Sequence, residues 1–314
     1  YCYSRLREPA DRIPAHQAKA VEDYAAFLAA FPKSTLAPNA LSSMGVLLLI
    51  LNRHADAAKA YDRLARDFPD SEQARNAVFA RGTSLLEMGQ KEQAVAAFEE
   101  MFAKPAAFTP AQFFQAGRVM LEQKVTDTAR RAFDQALAAK PDKAVEETVR
   151  YYAGEAAAAQ GDQKAVVEHL EAMMTVNPNS GFTVPAGFLL SRAHAELGRA
   201  EPDAARRDAR FTAAIRAMNR ASRVMSKPEE RARRDLELAG IQLLQGDAAG
   251  ALASYQRLVL LGDYGNARVR PIIESAFEVV MPLLEERNMY ADVVENATLY
   301  LQQFPGGRLE VQAR

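Results

Sequence analysis

Residues 82–98 read GTSLLEMGQKEQAVAAF, and this stretch decides the fold. Gly82 opens it, Gly89 follows seven residues later, Ala94 after twelve and Phe98 after sixteen. Apolar residues three and four apart share one helical face, so the stretch predicts two helices joined at Gly89. Glycine ends a helix readily because it enters the left-handed conformation without steric cost. The offsets recur outward along the chain. Gly45, Gly82, Gly117 and Gly154 are 37, 35 and 37 residues apart. Each is followed at the same distances by a turn residue (Asn52, Gly89, Lys124, Gly161), a small one (Ala57, Ala94, Ala129, Val166) and a large apolar one (Tyr61, Phe98, Phe133, Leu170). Small pairs such as Gly82 and Ala94 let the two helices approach closely. Lys124 is the exception among the turn residues, and its side chain predicts a different turn there.

Proline closes the units at Pro69, Pro141 and Pro178, with Pro105 one position early. Three helix ends read Phe31-Pro32-Lys33-Ser34, Phe68-Pro69-Asp70-Ser71 and Phe304-Pro305-Gly306, and Asn177-Pro178-Asn179-Ser180 is a variant. Proline stops one helix, while Ser34, Ser71 or Ser180 is placed to cap the next. An earlier half-unit supplies Ala20, Tyr24, Phe27 and Pro32. Two later units keep the offsets with altered residues, at Ala239, Gly246, Ala251 and Tyr255, and at Met281, Asn288, Val293, Ala297 and Pro305.

This constellation resembles the tetratricopeptide repeat family, over most of the chain. The resemblance implies an all-α fold, a right-handed superhelical solenoid of about seven helix-turn-helix units, each burying its apolar face against its neighbours. The aromatic-Pro-x-Ser ends are similar to a bacterial envelope subgroup that includes the lipoprotein of the outer-membrane barrel-assembly machine and the Tol-Pal-associated division coordinator. The expected organisation is a regular array over 1–180, a divergent unit with a long basic helix over 181–235, and degenerate units over 236–314.

The composition is that of an ordinary globular chain: 314 residues, 39 Lys+Arg against 40 Asp+Glu, 49% apolar and 25% charged. Such a balance carries no signature of nucleic-acid binding. The single cysteine, Cys2, excludes an intramolecular disulfide framework and a multi-cysteine zinc site. The longest run free of charged and strongly polar residues, Met44 to Leu51, falls far below the roughly 20 residues that span a bilayer. The chain begins at Tyr1 without a methionine, which leaves room for a leader, lipid anchor or further domain removed from view, and for membrane association through such an anchor. Periplasmic or outer-membrane-associated placement is favoured over cytoplasmic.

No GxSxG elbow, P-loop or GxGxxG phosphate loop is present, and the four histidines lie singly in separate units. Glu168, His169 and Glu171 form the closest local cluster and read as exposed polar residues of a helix. No catalytic residue, metal site or cofactor is expected. The expected function is a non-catalytic protein-binding scaffold or adaptor. Its alternatives are a helical docking region of a larger enzyme or export protein and an enzyme built on the repeats themselves.

The family binds partners along the groove lined by the first helix of each unit, and its groove positions carry over to Asn39, Ser42 and Val46, to Asn76, Phe79 and Thr83, to Phe114 and Arg118, and to Thr148, Tyr151 and Glu155. Phe79, Phe114 and Tyr151 make an aromatic line that either grips an extended peptide or amphipathic helix or packs between neighbouring helices. The Lys/Asn/Asn/Lys/Arg carboxylate clamp of chaperone-binding members is lacking, because Ser42, Val46, Ala80, Ala111 and Gln115 stand there.

Between Gly181 and Pro228 the array pauses. A helix is expected from Val184 to Leu197, then a long one from Pro202, in its first turn, to Met225. Phe211, Ile215, Met218 and Met225 form its apolar face. Arg216, Arg220, Arg223 and Lys227 lie opposite, at spacings of 4, 3 and 4. This basic face is a surface for an acidic partner or anionic head groups, or else a solvated helix face. A second break, Gly262 to Pro271, is placed to bend or divide the array.

Overall fold

The computed structural model describes residues 13–313, and Cys2 and Tyr1 lie outside them. All regular structure among the described residues is helical. Two compact units divide between Ala156 and Ala157.

The first unit begins with α1 (Ile13–Ala30), followed by three hairpins: α2 (Ala37–Ile50) with α3 (His54–Asp67), α4 (Glu72–Glu87) with α5 (Lys91–Ala103), and α6 (Pro110–Glu122) with α7 (Thr126–Ala138). A single 3-10 turn, Pro105–Ala107, separates the last two hairpins. The helix α8 (Lys143–Ala159) opens a fourth pair, and the unit boundary falls in its last turn. The second unit continues with α9 (Gln163–Val176), then α10 (Thr183–Arg199) with α11 (Ala204–Ser222), α12 (Pro228–Leu244) with α13 (Ala248–Leu261), and α14 (Arg270–Glu286) with α15 (Tyr290–Gln303), ending in α16 (Glu310–Ala313). Seven helix pairs therefore follow α1, as the sequence period predicts.

One turn is built six times. At Gly89 φ is +73°, and the amides that follow close the helix: Gly89 N–H donates to Leu86 and Gln90 N–H to Leu85. This is the Schellman ending, in which one left-handed residue satisfies carbonyls the helix leaves open. Asn52, Lys124, Gly161, Gly246 and Asn288 hold the same position with φ between +57° and +82°. Lys124 corrects the expectation from its side chain. It adopts the shared turn at φ +60°, with Val125 N–H donating to Met120 in the same pattern.

The helix starts also differ in part from expectation. Ser71 caps α4 by accepting from Ala74 N–H at 3.1 Å. Ser34 and Ser180 instead accept from the amides two residues on, Leu36 and Phe182, and the next helix starts later. Pro202 lies before α11, whose cap is Asp203, accepting from Arg206 N–H at 2.8 Å. The helix ends at Ser222, so the expected extension to Met225 is not formed.

The glycines at the start of each period serve the aromatic sixteen residues on. A Cβ built on Gly45, Gly82 or Gly117 would lie 2.5 Å from the ring of Tyr61, Phe98 or Phe133. Those three rings are 1%, 0% and 0% exposed. The closeness of the helices thus comes from a ring laid over a bare backbone, beside a buried alanine at 57, 94 or 129. In the second unit the loop between α13 and α14, residues 262–269, contributes the buried Val269 and the half-buried Tyr264 to an apolar cluster that runs from Ala232 to Phe304.

Candidate functional sites

In the first unit the sequence-designated residues fall on the leading helices α2, α4, α6 and α8. Asn39 and Asn76 are exposed and join successive helices: Gln73 Nε2 donates to Asn39 Oδ1 at 2.7 Å, and Gln112 Nε2 to Asn76 Oδ1 at 3.1 Å. Phe79 is half-buried, its ring 6.2 Å from Phe98 within its own hairpin. Phe114 is likewise half-buried, 6.2 Å from Phe133 and 5.4 Å from Tyr152 on α8. Tyr152, which the sequence reading passed over, is therefore the ring that continues the line from Phe114. Tyr151 is buried, and its hydroxyl donates to Glu155 at 2.8 Å. Burial and then the adjacent Glu155 carboxylate raise its pKa. Arg118 pairs along α6 with Glu122 at 3.5 Å, an exposed contact worth little.

In the second unit α11 and its C-cap residue Arg223 carry most of the sequence-designated basic residues. Arg216, Arg220 and Arg223 line a cleft of about 720 Å³ whose opposite wall is the turn from α9 to α10, with Pro178, Asn179 and Thr183. Arg220 is half-buried, and its Nη2 donates to the Met174 carbonyl at 2.7 Å. The guanidinium groups of Arg216 and Arg223 hold no ion pair or hydrogen bond among the described residues. Lys227 leaves this group. Beyond the end of α11 the helical spacing no longer applies, and Lys227 sits at the start of α12, paired with Glu230 at 3.3 Å.

His169 corrects another expectation, and His194 in the same unit is buried as well. His169 is 8% exposed and His194 3%, whereas Glu168 and Glu171 face solvent. His194 Nε2 lies 3.3 Å from Glu171 Oε1 across α9 and α10. Burial holds the His194 pKa below its ordinary 6.5; Glu171 opposes this, and Arg210 and Arg216 add to it. A depressed histidine pKa means that the unfolded chain binds the proton first. Its contribution to stability is complete above about pH 6.5 and is lost as pH falls towards the folded value. The urea midpoint should therefore drop between about pH 7.5 and about pH 5.5, and the drop should shrink in His194→Gln. An unchanged drop in that variant would assign the pH dependence to other groups. No cluster of three His, Cys, Asp or Glu is placed to hold a metal ion among the described residues, and no described helix is long and apolar enough to cross a membrane.

Tetratricopeptide-repeat family models match residues 18–72 and 76–104, the stretches that hold the first two hairpins. Those two stretches are tetratricopeptide repeats. The repeats extend beyond those matches by the same turn and ring-over-glycine geometry. No curated protein matches the sequence. Among solved structures, this repeat protein is similar to the C-terminal part of a TPR repeat-containing protein from Cytophaga hutchinsonii. The identity is 15% and the TM-score 0.58, over 87% of this chain and 98% of that one. It is also similar to a chain of Naa15/Naa10 bound to HypK-THB, at 14% identity and TM-score 0.50, over 88% of this chain and 38% of that one. At these identities the likeness is one of fold, and the fold is that of protein-protein interaction scaffolds.

Proposed function

We propose that this repeat protein is a non-catalytic scaffold or adaptor that binds a peptide or helix of a partner on the leading-helix face of its first unit, within a bacterial cell-envelope assembly. The observation that carries the reading is the combination on α2, α4 and α6. Amide pairs from Gln73 to Asn39 and from Gln112 to Asn76 fix neighbouring helices, while Phe79 and Phe114 remain half-buried at equivalent repeat positions. A face already ordered by its own hydrogen bonds loses little freedom on binding, and part-exposed rings supply apolar anchors. Neither Asn39 Nδ2 nor Asn76 Nδ2 donates a hydrogen bond among the described residues, which leaves donors for a partner's backbone. The envelope assignment rests on the Phe-Pro-x-Ser helix ends at 31–34 and 68–71.

The test is capture from envelope and soluble fractions of the source organism, comparing the chain with Phe79→Ala/Phe114→Ala. Selective loss of an envelope protein from the variant is the expected result. Equal capture by both proteins would remove the first-unit face from the reading, and capture confined to soluble proteins would remove the envelope.

A further inference from the structure

The cleft on α11 lies outside the surface just described and in the other unit. We infer that it is a second docking site, one that takes an extended acidic peptide segment through Arg216, Arg220 and Arg223.

Charge gives the first argument. Three arginines line one hollow, and among the described residues no Asp or Glu lines it with them and two of the three guanidinium groups have no ion-pair partner. Arg220 is anchored to Met174, which fixes one cation in the wall at no cost on binding. The second argument is independent of charge. Thr183, 1% exposed and lining the same cleft, has a buried hydroxyl without a hydrogen-bond partner. A buried polar group left unpaired is costly, and an incoming carboxylate or backbone carbonyl would satisfy it.

Shape selects a peptide over a compact anion. Arg216 to Arg223 rise about 10 Å along the helix, the length of about three extended residues, so two carboxylates on one side of a strand fit along the row. A smaller hollow of about 240 Å³ shares Ile215 and Asn219 with the cleft and continues past α11 to Asp235 and Arg257, so the site is elongated. Ile215 and the 47% exposed Val224, at the two ends of the arginine row in sequence, add apolar wall to the cleft. Alternating acidic and apolar side chains match that mixture. A nucleic acid would call for a broad basic surface, and the formal charge of the whole chain is −1.

The probe is a fluorescein-labelled hexapeptide of alternating glutamate and leucine, with a control in which glutamine replaces each glutamate, read by fluorescence anisotropy on the full chain. The acidic peptide should bind at least tenfold more tightly than its control and weaken as salt rises. Arg216→Gln/Arg223→Gln should lose at least tenfold in affinity. Both residues are exposed, so an unchanged circular dichroism melt is expected beside that loss. Thr183→Val should weaken binding severalfold with a melt no lower than the parent's. Phe79→Ala/Phe114→Ala should bind the peptide unchanged, which separates this site from the proposed first-unit face. Equal affinity for the two peptides, undiminished binding by the double arginine variant, or loss only in the phenylalanine variant would overturn the inference. So would arginine-dependent binding of phosphatidylserine vesicles without binding of the peptide, which would make the cleft a membrane contact.

Discussion

Phe133→Ala is expected to destabilise the first unit by about 3–5 kcal/mol, the range for removing a fully buried aromatic ring. The ring is 0% exposed and covers Gly117, whose missing side chain leaves the space it fills. It also lies 6.2 Å from Phe114 and 6.3 Å from Tyr152, so one substitution removes packing between α6 and α7 and support for α8. Gly117 has no side chain of its own with which to refill the void. Phe114→Ala should cost clearly less, because that ring is already half in water. Urea unfolding with hydrogen exchange resolved to α6 and α7 distinguishes the two. Repeat arrays do not always unfold in one step, and local protection reads the site directly. Equal losses in the two variants would show that the buried ring is not what holds this hairpin.

That hairpin was legible because its determinants are local and periodic. Glycine, turn residue, alanine and aromatic recur at fixed offsets, and each offset corresponds to one physical requirement: a bare backbone, a left-handed residue, a close contact and a ring. Lys124 was misread because the turn is imposed by hydrogen bonds at both its ends, which outweigh the preference of one side chain. Ser34 and Ser180 were misread because a short turn inside the loop competes with capping for the same hydroxyl.

The candidate sites were less legible, since they depend on contacts far apart in sequence. Helical spacing brought Arg216, Arg220 and the C-cap residue Arg223 together along α11 and its end, but nothing in it shows that the turn at 178–183 forms a second wall. The bond from Arg220 to Met174 spans 46 residues, and that from His194 to Glu171 spans 23. His169 reads as a surface residue because burial of a helical face is decided by the next helix. Tyr151 and Tyr152 are adjacent in sequence, and only the rotation of α8 shows which of them meets Phe114.

The two glycines of the opening stretch should fail for different reasons, and this is the sharper test of how the repeat is built. Gly82→Ala places a Cβ 2.5 Å from Phe98 Cζ and 2.6 Å from Cε2, where the ring is fully buried and already meets Phe79 at 6.2 Å. Overpacking of this kind costs about 1–3 kcal/mol, set against the roughly 0.5–1 kcal/mol that alanine gains over glycine within a helix. Shortening the ring should relieve the clash, so Gly82→Ala/Phe98→Leu should be less destabilised than the sum of its parts, by about 0.5–3 kcal/mol of coupling. Gly89→Ala meets nothing within 4 Å, and its loss of about 1–2 kcal/mol comes from φ +73° alone. That cost should add to Phe98→Leu without coupling. Gly89→Asn should be nearly silent, because Asn52 and Asn288 hold the same turn at φ +57° and +58°. A double-mutant cycle by urea unfolding measures all of these terms. Coupling at Gly89, or none at Gly82, would mean that the period is set by something other than a ring laid over a glycine.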